Sequence, residues 1–330
     1  MNIDRSLKIV VAMGGPSGEH DISLKSGQGV LQALARRGWS VEPVLIPKAI
    51  DFVAAVDWTR HALQRSAPDV VFIALHGPFG EDGTVQQLCE ELLLAYTGSD
   101  PVASRLGMDK IASRRRCASA GLCVPPWVAV EVPVTEPAWR ALECLSYPLV
   151  VKPNCQGSSL GVSIVHACDD LEPAIQVAAQ YGSMVVVEAF VIGRELTVGV
   201  LAEQPLPVVE IRPRQPFFDF TAKYTTGATD YLVPAPVPDS VARAVQAAGL
   251  AAHHALGCRH LSRADLILDQ ANRPVLLEVN TIPGFTPTSL LPKAAACAGI
   301  SYELLCEQLV LLAHTGAPSL GAALSSDARG

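Results

Sequence analysis

The chain has 330 residues, 49% of them hydrophobic, which is more than one average domain needs and enough for a sizeable core. A formal net charge of -7 argues against a general nucleic-acid binder, because a phosphate backbone demands basic patches. Nine scattered cysteines with no C-x-x-C spacing point away from a disulfide framework and toward a reducing cytoplasm, and no stretch approaches the roughly 18 apolar residues of a membrane span.

In chain order, Lys8 to Ala12 is β-rich and ends in the glycine turn Met13-Gly14-Gly15-Pro16-Ser17-Gly18-Glu19-His20. An amphipathic pattern then runs from about Ile22 to Arg37, with Gly38 as its stop. Strand, glycine turn and helix open an α/β unit, but the turn lacks the G-x-G-x-x-G spacing of a dinucleotide site. Glu19 heads the helix, where an acid either favours the helix dipole or faces a ligand amine. Val41–Ile46 and Asp69–Leu75 read as further strands; the latter runs into His76-Gly77-Pro78-Phe79-Gly80-Glu81-Asp82-Gly83, and a helix is expected from Val85 to Leu94. Ligands of open α/β sheets sit beyond the carboxyl ends of strands, where Glu19 and His76 both fall, although turn chemistry alone also suits His76 and Glu81.

Asp100 to Met108 reads as a hinge into a second region, and Asp109-Lys110 begin a basic helix through Arg116. Strand-like runs follow at Trp127–Val130 and Leu149–Val151. Lys152 closes the latter, one of only seven lysines in the chain, and either snorkels to water or meets a ligand. The next turn, Gln156-Gly157-Ser158-Ser159-Leu160-Gly161, offers the donors of a phosphate cradle or a plain hairpin turn; no Walker-type P-loop is present. Strands are expected at Met184–Val191 and Gly193–Val200. The irregular, aromatic-rich stretch after Ile211 reads as an ordered lid with Lys223 and Tyr224 near its centre. A helix from about Val241 to Leu256 precedes two apolar runs, Arg263–Leu268 and Pro274–Asn280, which form a β-hairpin. Alternation puts Glu278 and Asn280 on one face, where Asp265 of the neighbouring strand can join them. That face is either solvated or an all-oxygen site for a hard ion such as Mg²⁺. After Thr281-Ile282-Pro283-Gly284 and Pro292, Lys293 to Leu312 suggest one closing amphipathic helical region, and the small-residue segment 315–330 reads as a loose tail.

The ordered blocks Gly14-Gly15-x-Ser17-x-Glu19-His20-x-x-Ser23-x-x-Ser26-Gly27, His76-Gly77-x-x-Gly80-Glu81-Asp82-Gly83, Tyr96-Thr97-Gly98-Ser99, Met108-Asp109-Lys110, Val151-Lys152-Pro153, Gly157-Ser158-Ser159-x-Gly161, Ala222-Lys223-Tyr224, Arg263-x-Asp265 and Glu278-x-Asn280-Thr281-x-Pro283-Gly284 span nearly the whole chain. Together they resemble the D-alanine–D-alanine ligase family of ATP-grasp ligases. The resemblance implies an α/β and α+β fold of three domains: a Rossmann-like (pre-ATP-grasp) domain over 1–103, a central ATP-grasp subdomain over 104–193, and a C-terminal one over 194–314 carrying lid and metal site. It implies ATP held by Lys110, Lys152, Ser158, Ser159 and Lys223, with Glu188 at the adenine edge and Glu195 at the ribose. Two Mg²⁺ ions, with Mn²⁺ as an alternative, would bind Asp265, Glu278 and Asn280. Glu19, His76 and the Ser289-Leu290 turn would bind the two D-alanines. Arg263 and the Gly284 N–H would stabilise the oxyanion, and Glu19, Ser158 and Tyr224 would form a hydrogen-bonded set that closes the lid. The implied product is D-alanyl-D-alanine, made through an acyl phosphate for peptidoglycan in the cytoplasm by a homodimer, with no nucleic-acid or membrane partner. D-serine, D-lactate or another amine as acceptor is the alternative, although Tyr224 favours a dipeptide; a silent binding module would have lost Lys152, Arg263, Asp265 or Glu278. The chain departs from the family pattern at Cys155, Ala189 and Thr221, which bears on nucleotide affinity and lid closure.

Overall fold

The computed structural model describes residues 5–213 and 229–316, arranged around three β-sheets. The first sheet is parallel, with strands β1 (Lys8–Gly14), β2 (Ser40–Ile46), β3 (Val70–Ile73) and β4 (Ala95–Tyr96) in the order β2-β1-β3-β4. A parallel strand buried on both faces needs a continuous apolar run, and Ile9, Val10, Val11 and Ala12 supply it. Helix α1 (His20–Arg36) packs Ser23, Ser26, Gly27, Val30, Ala33 and Leu34 inward, the spacing of one helical face. Gly27 permits the approach, since a Cβ there would lie 2.5 Å from the Met13 sulfur on β1. Helix α2 (Phe52–Ser66) covers the same sheet and was not anticipated, although its cap was in plain view: the Asp51 carboxylate accepts from Ala54 N–H at 2.8 Å. Helix α3 (Thr84–Glu91) follows the glycine-rich loop after β3.

Where a hinge was expected there is a helix, α4 (Pro101–Met108). Its Asp100 side chain caps Ala103 N–H at 2.8 Å and Pro101 opens it, the usual first-turn chemistry. Helix α5 (Lys110–Ser119) follows at once, capped by Asp109 on Ala112 N–H at 2.9 Å.

The second sheet is antiparallel, in the order β5-β8-β6-β7, from β5 (Trp127–Glu131), β6 (Leu149–Pro153), β7 (Ser163–Val165) and β8 (Met184–Ala189). Helices α6 (Glu136–Leu142) and α7 (Leu171–Ala179) complete its core with Leu142, Leu171 and Ile175.

The third sheet is also antiparallel. It contains β9 (Gly193–Leu201), β10 (Gln204–Pro205), β11 (Val209–Pro213), β12 (Thr229–Leu232), β13 (Leu261–Asp269) and β14 (Pro274–Asn280), in the order β12-β11-β9-β13-β14 with β10 beside β9. Helix α8 (Asp239–Leu256) buries Val245, Ala252 and Leu256 against one face, together with Cys117 of α5. The opposite face packs Leu201, Val209 and Leu261 into the core of the first sheet and carries polar side chains beside them.

The closing region is two helices, α9 (Leu290–Cys297) and α10 (Tyr302–Thr315), bent by 103°. The break falls at Gly299, which has φ +82°. Helix α9 also begins earlier than expected, because a proline is tolerated in a first turn, where its missing N–H has no partner to lose. Both helices send apolar residues into the core of the first sheet, where Leu291, Leu305 and Leu309 join Ile9, Leu34 and Phe72. Among the described residues no single helix is long and apolar enough to cross a membrane.

One buried carboxylate ties this last helix to the first sheet. Glu307, 1% exposed, accepts from Trp39 Nε1 at 2.9 Å and from Arg37, with Arg5 at 3.8 Å. The Arg37 hydrogen bond holds its carboxyl below the usual glutamate range. A group depressed in the folded state stabilises above its unfolded pKa, and that stabilisation is lost as pH falls through the folded value. Glu307→Gln is therefore expected to lower stability at neutral pH by roughly 1–3 kcal/mol. Denaturant unfolding across the acid range should also show a shallower pH slope for the variant; an unchanged slope would remove Glu307 as an acid-sensitive link.

Candidate active site

The hairpin β13–β14 carries the densest chemistry. Its register places Asp265 opposite Glu278 and Arg263 opposite Asn280, so the expected shared face is real. The pairing then slips between Asp265 and Leu266, leaving Leu277 as the extra residue of a bulge. Asp265 is saturated. Arg263 donates to it from Nε at 2.8 Å and Nη2 at 2.7 Å, Thr197 of β9 from Oγ1 at 2.6 Å, and Asn280 from its amide nitrogen at 3.0 Å. Burial opposes the Arg263 charge, but the Asp265 carboxylate overcomes it and raises the guanidinium pKa. Glu195 lies two residues before Thr197 on β9, opposite Ile267 of β13.

Helix α5 and the second sheet present cations to this face. Lys110, at the start of α5, places Nζ 3.8 Å from a Glu278 oxygen and 2.5 Å from the Gln156 carbonyl. Burial lowers its pKa, the Glu278 charge works in the opposite sense, and Lys152 and Arg114 add to the lowering. Lys152 Nζ lies 2.5 Å from Glu188 Oε1, while Arg114 contacts the other oxygen of the same carboxylate. Arg114 also donates from Nη2 to the Leu277 carbonyl at 3.3 Å, joining the second sheet to the hairpin bulge. Sequence reading missed Arg114 as a site residue, although it stands one helical turn after Lys110 and so on the same face.

The first sheet supplies the third side. Ser158 donates from Oγ to Glu19, which joins the head of α1 to the glycine–serine turn. Ser158 and Ser159 both adopt left-handed backbone, φ +52° and +58°, a conformation that costs energy for a residue with a Cβ. Gly77, φ +72°, makes room for Glu19, because a Cβ there would lie 2.7 Å from Oε2. His76 is buried between a 2.9 Å hydrogen bond to Ser26 Oγ and Glu81 at 3.6 Å. Burial pushes the Glu81 carboxyl up, against the opposing hydrogen bond from His76.

Downstream of the hairpin, Ser289 Oγ accepts from Thr286 N–H at 3.0 Å, and a Cβ on Gly284 would lie 3.3 Å from that oxygen. Phe285 is held between Phe72 and Tyr302, with ring centroids at 5.5 and 5.7 Å, and Tyr302 donates from its hydroxyl to the Phe285 carbonyl at 2.7 Å. Glu19, His76, Lys110, Lys152, Ser158, Ser159, Glu188, Glu195, Arg263, Asp265, Glu278, Asn280, Gly284, Ser289 and Leu290 thus all lie among the described residues. Thr221, Lys223 and Tyr224 lie outside the described residues.

Among the described residues no group of three or more His, Cys, Asp or Glu side chains could hold a metal ion. The hairpin set has two carboxylates and an amide, all offering oxygen, which suits a hard cation. Asn280 donates through nitrogen, leaving its carbonyl oxygen as the ligand atom. Asp265 can join only by exchanging one of its four hydrogen bonds. With that exchange the residues fit Mg²⁺.

Two family models match the chain: "D-ala D-ala ligase N-terminus" over residues 54–99 and "D-ala D-ala ligase C-terminus" over residues 117–311. The D-alanine–D-alanine ligase of Syntrophotalea carbinolica is 41% identical over 307 residues, covering 92% of this chain and 95% of its own. That of Desulforudis audaxviator is 43% identical over 311 residues, covering 93% and 98%. Among solved structures, the Bacillus anthracis D-alanine–D-alanine ligase complexed with ATP superposes with a TM-score of 0.80 at 31% identity, covering 93% of this chain and 97% of the other. VanG, a D-Ala:D-Ser ligase of Enterococcus faecalis, gives 0.80 at 30% identity, covering 93% and 99%. With both family models in sequence order and the three-sheet ATP-grasp architecture beneath them, the chain belongs to the D-alanine–D-alanine ligase family.

Proposed function

We propose that this chain joins two D-alanine molecules into D-alanyl-D-alanine at the expense of ATP, through an acyl-phosphate intermediate, for peptidoglycan precursor synthesis. The observation that carries the reading is the Ser158–Glu19 hydrogen bond, which brings the acid at the head of α1 to the serine turn beside Lys110. An acid that binds an amine and donors that bind a phosphate are needed within one substrate length of each other. The relatives at 41% and 43% identity are named for D-alanine–D-alanine ligation, so a D-serine acceptor is not favoured.

A carboxylate is a poor electrophile, so it must be activated before an amine can attack it. Glu19 binds the ammonium of the first D-alanine and aims its carboxylate at the γ-phosphate of ATP. Lys110, Lys152 and the turn at Ser158-Ser159 neutralise charge on the transferring phosphoryl group, the dominant electrostatic task in such transfers. Glu188 takes the adenine edge and Glu195 the ribose. Asp265, Glu278 and Asn280 would hold Mg²⁺, which supplies further charge neutralisation to the phosphates when bound. The amine of the second D-alanine then attacks the acyl phosphate, and Arg263 with the Gly284 N–H stabilises the oxyanion. His76 lines the first-substrate side, the Ser289-Leu290 turn receives the second carboxylate, and Lys223 and Tyr224 complete the closure. The division into 1–103, 104–193 and 194–314, a homodimer and a cytoplasmic location accompany this reading.

Purified protein with ATP, Mg²⁺ and D-alanine is expected to release ADP and phosphate with one dipeptide per ADP, by coupled assay and product mass. Activity only with D-serine or D-lactate in the acceptor position would move the assignment within the family. No ADP release with any of them would sink it.

A further inference from the structure

Most cations around the reacting centre are already committed. Arg263 is bidentate to Asp265, Lys152 and Arg114 share Glu188, and Lys110 pairs with Glu278. Lys293 is different. It stands on α9 four residues after Ser289, with its backbone N–H on the Ser289 carbonyl at 3.0 Å. Its ammonium sits over the Tyr231 ring of β12, 4.8 Å from the centroid, and among the described residues it makes no ion pair. Tyr231 lies across the sheet from Ile211, which pairs in turn with Glu195, so its ring belongs to the face that carries Thr197, Asp265 and Arg263. The Tyr231 hydroxyl feels both the Glu195 and the Arg263 charge. Lys293 therefore meets Tyr231 at the edge of the face that carries Arg263, one helical turn after Ser289.

A half-buried lysine with no ion pair among the described residues is costly to leave so, because burial disfavours its charge and lowers its pKa. The aromatic face compensates in part. It also fixes the ammonium in one place and leaves its N–H donors for an incoming anion. The only anion the reaction brings to this turn is the α-carboxylate of the second amino acid. From the place of Lys293 beside Tyr231 and the Ser289-Leu290 turn we infer that it is a specificity-determining residue, pairing with the acceptor's carboxylate and selecting acceptors that carry one. The inference rests on the ligase reading. It assigns Lys293 no part in ATP binding or in the first phosphoryl transfer.

The test is a competition in one vessel: ATP, Mg²⁺, D-alanine as donor, and D-alanine and D-alaninamide as rival acceptors. The ratio of dipeptide to dipeptide amide, by mass spectrometry, reads the ratio of kcat/KM for the two acceptors. It is independent of how much enzyme is folded and of the first half-reaction. Wild type is expected to make mostly the free dipeptide. Lys293→Met, which keeps an apolar stem on Tyr231, and Lys293→Gln are expected to shift the ratio toward the amide about tenfold or more, the usual worth of a hydrogen bond to a charged group. Lys293→Arg should restore it. A ratio unchanged in both neutral variants overturns the assignment, since a merely structural lysine would slow both products alike. Wild type making neither product overturns the ligase reading, and this with it.

Discussion

Asp265→Asn is expected to lower dipeptide synthesis by about 10³-fold, on the scale of losing a preorganised transition-state contact. The change is nearly isosteric, so the cause is charge and donor count rather than shape. Asp265 accepts four hydrogen bonds from Arg263, Thr197 and Asn280. An amide in its place must turn an NH₂ toward at least one of these donors. The guanidinium of Arg263 is then buried without its counter-charge, which costs about 3–5 kcal/mol when a buried pair is broken from one side. The loss should therefore appear in thermal unfolding as well as in turnover, and Mg²⁺ should rescue neither. A folded variant with near wild-type turnover would remove Asp265 from the mechanism.

The second large effect is expected at Glu188, 2% exposed between Lys152 and Arg114. Glu188→Leu leaves two buried cations facing each other, and a stability loss of about 3–5 kcal/mol should follow in denaturant unfolding. A triple variant, Glu188→Leu with Lys152→Met and Arg114→Met, removes all three charges and should recover most of that loss. It should not recover ATP binding, measured by calorimetry, because Lys152 and Glu188 are the groups proposed to meet the nucleotide. Recovery of both would make the triad a purely structural feature. Recovery of neither would mean that packing, not charge, holds this corner together.

The hairpin was legible because its chemistry is local. Period-2 alternation on two adjacent strands fixes which side chains share a face, and Asp265, Glu278 and Asn280 fell where alternation put them. The bulge at Leu277 was not legible, since an extra residue leaves no mark on hydrophobic pattern. Helix α4 was misread for a different reason: Asp100-Pro101 is a good cap, but eight residues give too little periodicity to outweigh a loop reading. Arg114 was visible only as one of three consecutive arginines, and its partner Glu188 lies 74 residues onward. Nothing in a local window foretells such pairs. The same holds for the Ser158–Glu19 bond, which the family resemblance supplied and spacing alone could not.

Helix α10 has a bearing on how the chain is made. The first sheet's core includes Leu305, Leu309, Val310 and Ala313, and its buried Trp39 and the neighbouring Arg37 find their carboxylate at Glu307. During synthesis the N-terminal strands emerge first, yet the residues that cover them come last. Until then α1 and the first sheet carry an uncovered apolar flank, the kind of surface that draws chaperones or aggregates. Contacts this distant in sequence also slow folding, because a long loop must close before they form. A nascent or prematurely ended chain lacking α10 should therefore be an aggregation-prone intermediate rather than a small stable α/β domain.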